Sequence, residues 1–294
     1  MTLANPTPRR VALAGASGTI GSAVLRRLEA DGHCVTVLAR GDLTDPAVLA
    51  RARAEVVISC IASRSGAPDD AQAVDCNANC ALLAAAEAAG AGHFILLSAI
   101  CVQKPRLAFQ HAKLAFEKRL GESAIAHTII RPTAYFKSLS GQAKRVKGGK
   151  PFLIFGDGHL TCCKPISDDD LARFIAAAID NPAMRGKTLP IGGPGPAISL
   201  KEQGELLFRA AGRPARFTSI SPRIFTIAER ILRLGAPFSS WFAAKAEYAR
   251  IARYYATESM LVIDPATGEY SADLTPEYGS ETLESHYSRL FSGV

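Results

Sequence analysis

Residues 14–22 read AGASGTIGS, with Gly15, Gly18 and Gly21 in a GxxGxxG spacing directly after an apolar run and directly before an amphipathic one. A glycine permits the tight turn there, and the missing side chains let backbone N–H groups approach a diphosphate. The helix that follows would lend the anion its partial positive charge. Strand, turn and helix in that order give the spacing its weight as a dinucleotide site, with Gly15, Ser17, Gly18, Thr19, Ile20 and Gly21 as its residues. The second apolar run ends at Arg40, placed to pair bidentately with a 2′-phosphate, and Asp42 follows two residues later. An acid suits a free ribose 2′-hydroxyl and an arginine a phosphate. The balance favours NADPH. A third group lies further on: Ser98 closes an apolar run, and Lys113 follows on a helical pattern with Phe109 one turn before it.

Elements that could hold these residues alternate along the first two-thirds of the chain. Apolar, β-branched runs at 11–16, 35–40, 55–62, 93–100, 127–133 and 188–193 predict strands. Helices are expected between them, notably over 19–31, 70–89 and 107–121, which is the pattern of βαβ units. The fold class expected is α/β: an NAD(P)-binding Rossmann fold with a mostly parallel, doubly wound sheet. A smaller, mainly helical cap accompanies it. Residues 1–137 and 165–198 would bind the cofactor, and 138–164 with 199–294 would cover the substrate. Too few residues follow Arg40 for the usual third βα unit, so that unit is either missing or rebuilt. In the cap, 223–234 (RIFTIAERILRL) place Ile224, Ile227, Ala228, Ile231 and Leu234 on one helical face. Packing against the rest of the cap is the expectation for that face, with part of it closing over the substrate.

The 294 residues carry a net charge of +7, 48% hydrophobic and 21% charged residues, which is ordinary for a soluble globular protein. Positive charge suits an anionic ligand or an anionic membrane surface, so peripheral membrane contact is among the expected partners. No aromatic-interleaved basic run is present, and nucleic acid is not expected. Ser167 and the three aspartates after it suit a helix start. Seven cysteines without a secretion signal suggest reduced thiols and a cytoplasmic setting; they form no CxxC pair, and no metal site is expected. No pattern specifies an oligomeric state.

The stretches GASGTIG, VVISCIASRSG, HFILLSAICVQKPRLAFQHAKLAFE and IIRPTAYFKSLSGQ together resemble the divinyl chlorophyllide 8-vinyl reductases. So do FGDG with CCKPISDDDLA, LPIGGPG with EQGELLFRAAG, and YYATESMLVIDPATGEYS. The resemblance runs from about Arg10 to Phe291, and the shortened segment after Arg40 departs from it. It implies an NADPH-dependent, atypical short-chain reductase acting on divinyl chlorophyllide, an anionic magnesium chlorin, in chlorophyll or bacteriochlorophyll synthesis. It further implies Ser98, Lys113 and Tyr135 as catalytic residues. Ser98 and Lys113 would also contact the nicotinamide side of the cofactor, together with Ala62, Ser63, Pro132 and Thr133. Carbonyl-reducing relatives carry a tyrosine where Phe109 stands. A vinyl group leaves no oxyanion to protonate, so the conjugated macrocycle can take the electrons in its place. An isoflavone-reductase-like or quinone-reducing enzyme and a non-catalytic NADP(H) sensor are the alternatives on the same fold.

Overall fold

The computed structural model describes residues 7–292. Six parallel strands form one sheet: β1 (Arg10–Ala14), β2 (Cys34–Leu38), β3 (Val56–Ser59), β4 (His93–Leu97), β5 (Ala126–Pro132) and β6 (Lys187–Ile191). Their order is β2-β1-β3-β4-β5-β6. The direction of winding reverses between β1 and β3, and a crevice opens there at the carboxyl ends of the strands. Alternate strand residues serve opposite layers. Val11, Leu13, Val56, Ile58 and Ile95 pack against α1 (Thr19–Ala30), while Ala12, Ala14, Val57, Phe94 and Leu96 face the other side. That second layer holds α2 (Pro46–Ala52), α3 (Asn79–Ala88) and α4 (Ala108–Gly121). The helix α5 (Asp168–Ala177) lies beside α1; Ser167 caps it by accepting from the Asp170 N–H at 3.0 Å.

The short segment after Arg40 is now explained. Residues Arg40–Thr44 form a single 3₁₀ turn, and Asp45 caps α2 by accepting from the Ala47 N–H at 2.8 Å. Among the described residues no strand lies beyond β2, so the usual third βα unit is absent and β2 is the sheet edge. All six expected strands run on past their last paired residue: β3, for example, ends at Ser59 and β4 at Leu97, because Cys60 and Ser98 already begin the loops that follow.

Before α3 the chain is π-helical over Ala71–Ala78, which the periodicity of the sequence did not signal. Asn79 supplies a reason. Its amide donates to the Val74 carbonyl at 3.3 Å and the Asp75 carbonyl at 3.1 Å, satisfying acceptors that a widened ladder leaves over.

The rest of the chain packs around α6 (Leu200–Ala210), the hairpin of α7 (Arg223–Gly235) and α8 (Ser240–Thr257), and α9 (Leu283–Ser292). A short parallel pair, Phe152–Phe155 with Phe217–Ile220, contributes to a core of Phe152, Leu207, Phe208 and Tyr287. One expectation fails here. Ile224, Ile227, Ile231 and Leu234 do not pack against the cap but stand in the open. The buried side of α7 instead holds Glu229, 3.3 Å from Arg253 and 3.6 Å from Arg250 on α8. Ion pairing has taken the inner face of this helix, and the aliphatic stripe has turned outward.

Candidate functional site

Gly15 adopts φ +82°, and a β-carbon there would stand 2.6 Å from the Cys60 carbonyl oxygen. At Gly21 it would stand 2.1 Å from the carbonyl oxygen of Gly15. These two glycines therefore let the turn close against β3 and α1 press against the turn. Gly18 differs: a β-carbon would meet only the Gly15 oxygen, at 3.3 Å, so the space it leaves belongs to the crevice. Gly18 is also the N-cap of α1 and offers no side chain to its first N–H groups.

A cleft of about 830 Å³ runs from this turn across the ends of β1, β2 and β3. Gly15, Ser17, Gly18 and Thr19 line it, as do Arg40 and Ala62; Ile20 and Gly21 lie behind, buried in α1. Arg64 joins Arg40 on the wall, a residue that no motif marked. The carboxylate of Asp42 turns away from the cleft to accept from the Ala39 N–H at 2.7 Å. Lys137 reaches the turn from beyond β5, donating to the Thr19 hydroxyl at 2.7 Å. A glycine turn open to the cleft, an uncapped helix start and two arginines at the far end fit a dinucleotide with a 2′-phosphate.

A second cavity, of about 450 Å³, opens at the ends of β4 and β5. Pro132, Thr133 and Tyr135 line one side, with Ala99 and Cys101 beside them; Phe155, Cys163, Leu200, Tyr255 and Met260 close the other. Its wall is mostly apolar, with Thr133, Ser138, Thr161, Gln203 and Glu258 as the polar side chains. Burial pushes the hydroxyls of Tyr135 and Tyr255 well above the ordinary tyrosine range, so both keep their protons. Thr133 is fixed by donating to the Lys164 carbonyl.

Lys113 lines neither cavity itself but is linked to the wall of each. Its ammonium lies 2.9 Å from Asp75 Oδ1; the aspartate is buried and the lysine side chain is 11% exposed. The same oxygen accepts from the Ser63 N–H at 3.3 Å, next to cleft-lining Ala62. The lysine's charge reaches Cys101 on the apolar pocket, partly offsetting the rise that burial imposes on that thiol. Asp75 Oδ2 has no hydrogen-bond partner among the described residues, an arrangement that suits a ligand hydroxyl.

The structure does not bring Ser98 to either cavity. Its hydroxyl donates to Glu117, which also holds the guanidinium of Arg131, and Ser98 is buried beneath the strand ends. Phe109 is likewise set back, packed against Ile251 of α8 and beside Gly66. Asp75, Arg64 and Tyr255 are the residues that sequence reasoning missed. The LAFQHAK spacing marks the lysine but not the aspartate that faces it from another helix.

A family of NAD(P)H-binding domains matches residues 38–182. The chloroplastic divinyl chlorophyllide a 8-vinyl-reductase of Oryza sativa subsp. indica is 43% identical, over 97% of this chain and 79% of that protein. The Cucumis sativus protein of the same name is 42% identical, over 98% of this chain and 77% of its own length. The chain belongs to the divinyl chlorophyllide a 8-vinyl-reductase family. Among solved structures, an NADPH-dependent quinone oxidoreductase of Escherichia coli, in complex with NADPH, superposes with a TM-score of 0.65. It is 20% identical and covers 96% of this chain and 99% of that one, a likeness of fold. The chain thus has a nucleotide cleft and an apolar pocket, with the Lys113–Asp75 pair linked to the wall of the first through Ser63 and to that of the second through Cys101.

Proposed function

We infer that this protein is an NADPH-dependent oxidoreductase that reduces the 8-vinyl group of a divinyl chlorophyllide to ethyl in chlorophyll synthesis. Beside its family, the observation that carries this reading is a two-arginine nucleotide cleft and an apolar pocket that are both linked to the Lys113–Asp75 pair. The substrate proposed is the anionic magnesium chlorin. The pocket is too small to enclose a tetrapyrrole and suits its vinyl-bearing edge. Residues 1–137 and 165–198 would hold the cofactor and 138–164 with 199–294 would cover the pigment. That division is supported by the cleft wall, drawn from the first part, and by a pocket wall drawn from both. A reducing, cytoplasmic setting belongs to the reading, supported by seven cysteines that are all free thiols.

NADPH, when bound, supplies a hydride to the outer vinyl carbon, and a proton from solvent or a side chain completes the ethyl group. The remaining work falls to residues of this chain. Arg40 and Arg64 hold the 2′-phosphate, and the turn at Gly15, Ser17, Gly18 and Thr19 receives the diphosphate. Lys113, held by Asp75, orients the nicotinamide ribose and sets a positive charge beside the negative charge that spreads into the macrocycle. Ala62, Ser63, Pro132 and Thr133 shape the nicotinamide side. Tyr135 carries its proton at any ordinary pH and faces the pocket, which makes it the proposed proton donor. Ser98 keeps its place in the proposal as a positioning residue, tying the end of β4 to Glu117 and Arg131.

Incubation of the purified protein with NADPH and divinyl chlorophyllide, followed by the shift of the Soret band, tests the reading. The monovinyl product is expected. NADPH bound without pigment turnover would favour a sensor, and turnover of quinones alone a quinone reductase.

A further inference from the structure

The α7–α8 hairpin carries the most exposed apolar surface of the described molecule, and its exposure rises toward the tip. Ile224 is 54% exposed, Ile227 59%, Ile231 63%, Leu234 75% and Phe238, in the connecting turn, 88%. Trp241 follows at 57%, its ring edge-to-face with Phe242 at 5.0 Å. Leaving so contiguous an apolar patch in water is unfavourable unless something covers it. Flanking it are the exposed Arg223, Arg230, Arg233 and Lys245, the last with its ammonium 5.8 Å from the Trp241 ring. Between Arg223 and Ala246 the only carboxylate is Glu229, which is buried among arginines.

We propose that this hairpin docks the protein on an anionic lipid bilayer, with Leu234, Phe238 and Trp241 entering the interface and Arg230 and Lys245 meeting lipid phosphates. An aliphatic stripe, a tip with an aromatic pair and a basic rim without exposed acid are what an interfacial anchor requires. Two other occupants fit less well. A second copy would set these arginines against one another. A pigment lid would need the stripe to face the apolar pocket, and no residue between Arg223 and Tyr248 lines it. No helix among the described residues is long and apolar enough to cross a membrane, so contact through this tip would be peripheral. It would bring the wall of the pocket at Phe155, which meets Phe225 of α7 edge to face at 5.4 Å, towards the lipid surface.

Trp241 is the chain's one tryptophan and therefore reports on the tip directly. The full protein is mixed with vesicles of phosphatidylcholine alone or with phosphatidylglycerol, and tryptophan emission and co-sedimentation are read together. Binding and a blue shift are expected on the phosphatidylglycerol vesicles. Arg230→Gln with Lys245→Gln should weaken that binding about tenfold. Leu234→Ser with Phe238→Ser should lower it at least as much while leaving NADPH affinity unchanged, since both side chains point away from the fold. The proposal is overturned by unshifted emission and no co-sedimentation of the wild type. It is equally overturned if the tip substitutions leave vesicle binding intact. Loss of a concentration-dependent dimer would assign the face to a second copy, and loss of pigment affinity without vesicles would assign it to a lid.

Discussion

The carboxylate of Asp42 accepts the Ala39 N–H at 2.7 Å and closes the turn that follows β2. That one hydrogen bond ties up the acid that could have favoured a free 2′-hydroxyl, while Asp70, the carboxylate on the cleft wall, accepts from Ser65 and leaves Arg40 and Arg64 as the phosphate readers. Arg40→Ala should therefore weaken NADPH by about 1.5–3 kcal/mol, the worth of a charge-assisted phosphate pair, and leave NADH nearly unchanged. Equilibrium binding of both nucleotides to wild type, Arg40→Ala and Arg64→Ala measures it. An unchanged ratio in both variants would remove the arginines as readers of the phosphate.

The glycines of the turn separate binding from folding. Gly18→Val should keep a native circular dichroism spectrum and lose NADPH, because its side chain would fill the space meant for the diphosphate. Gly21→Ala should instead lower the melting temperature, because its methyl group would press into the Gly15 carbonyl. Retained NADPH affinity in Gly18→Val would mean that the diphosphate lies elsewhere.

Much of this architecture is legible in the sequence because strand period, glycine spacing and helix caps are local signals. The order strand, AGASGTIGS, helix needs no tertiary information, and neither does the shortage of residues after Arg40. What escaped depends on which residues meet across the fold. Asp75 sits on a π-helical turn and finds Lys113 on another helix. Ser98 ends its strand as expected, but Glu117 and Arg131 lie beneath it and take its hydroxyl. The face of α7 was legible as amphipathic, yet only the pairing of Glu229 with α8 decides that the aliphatic side turns outward.

Acid should destabilise the protein in part through His93. Buried at the start of β4, with Nε2 3.0 Å from the Thr128 hydroxyl, its pKa is pushed down to about 4 by desolvation, helped by the nearby charge of Arg185. The unfolded chain takes up this proton near pH 6.5 and the folded one does not until about pH 4. Stability contributed by neutral His93 is thus complete above about pH 6.5 and declines as pH falls through that window, by at most about 1.4 kcal/mol per pH unit. Urea unfolding of wild type and His93→Gln near neutrality and near about pH 5 checks this. The variant should lose less stability on acidification; equal losses would place the sensitivity elsewhere.

Phe109→Tyr should gain no rate. No oxyanion forms on a vinyl group, and the ring is packed against Ile251 rather than facing the apolar pocket. An added hydroxyl there must find a partner among apolar side chains, so a lower melting temperature is the expected change. A faster enzyme would show that a tyrosine at this position can reach the substrate.

The central claim is that Lys113, held by Asp75 at 2.9 Å, serves hydride transfer. Single-turnover reduction of divinyl chlorophyllide by enzyme-bound NADPH, in wild type and in Lys113→Ala, tests it most directly. The wild type should form one ethyl product for each NADPH consumed, and Lys113→Ala should do so ~100-fold more slowly while remaining folded by circular dichroism. Hydride transfer at the wild-type rate in Lys113→Ala, or NADPH oxidation without ethyl product in the wild type, would contradict the account.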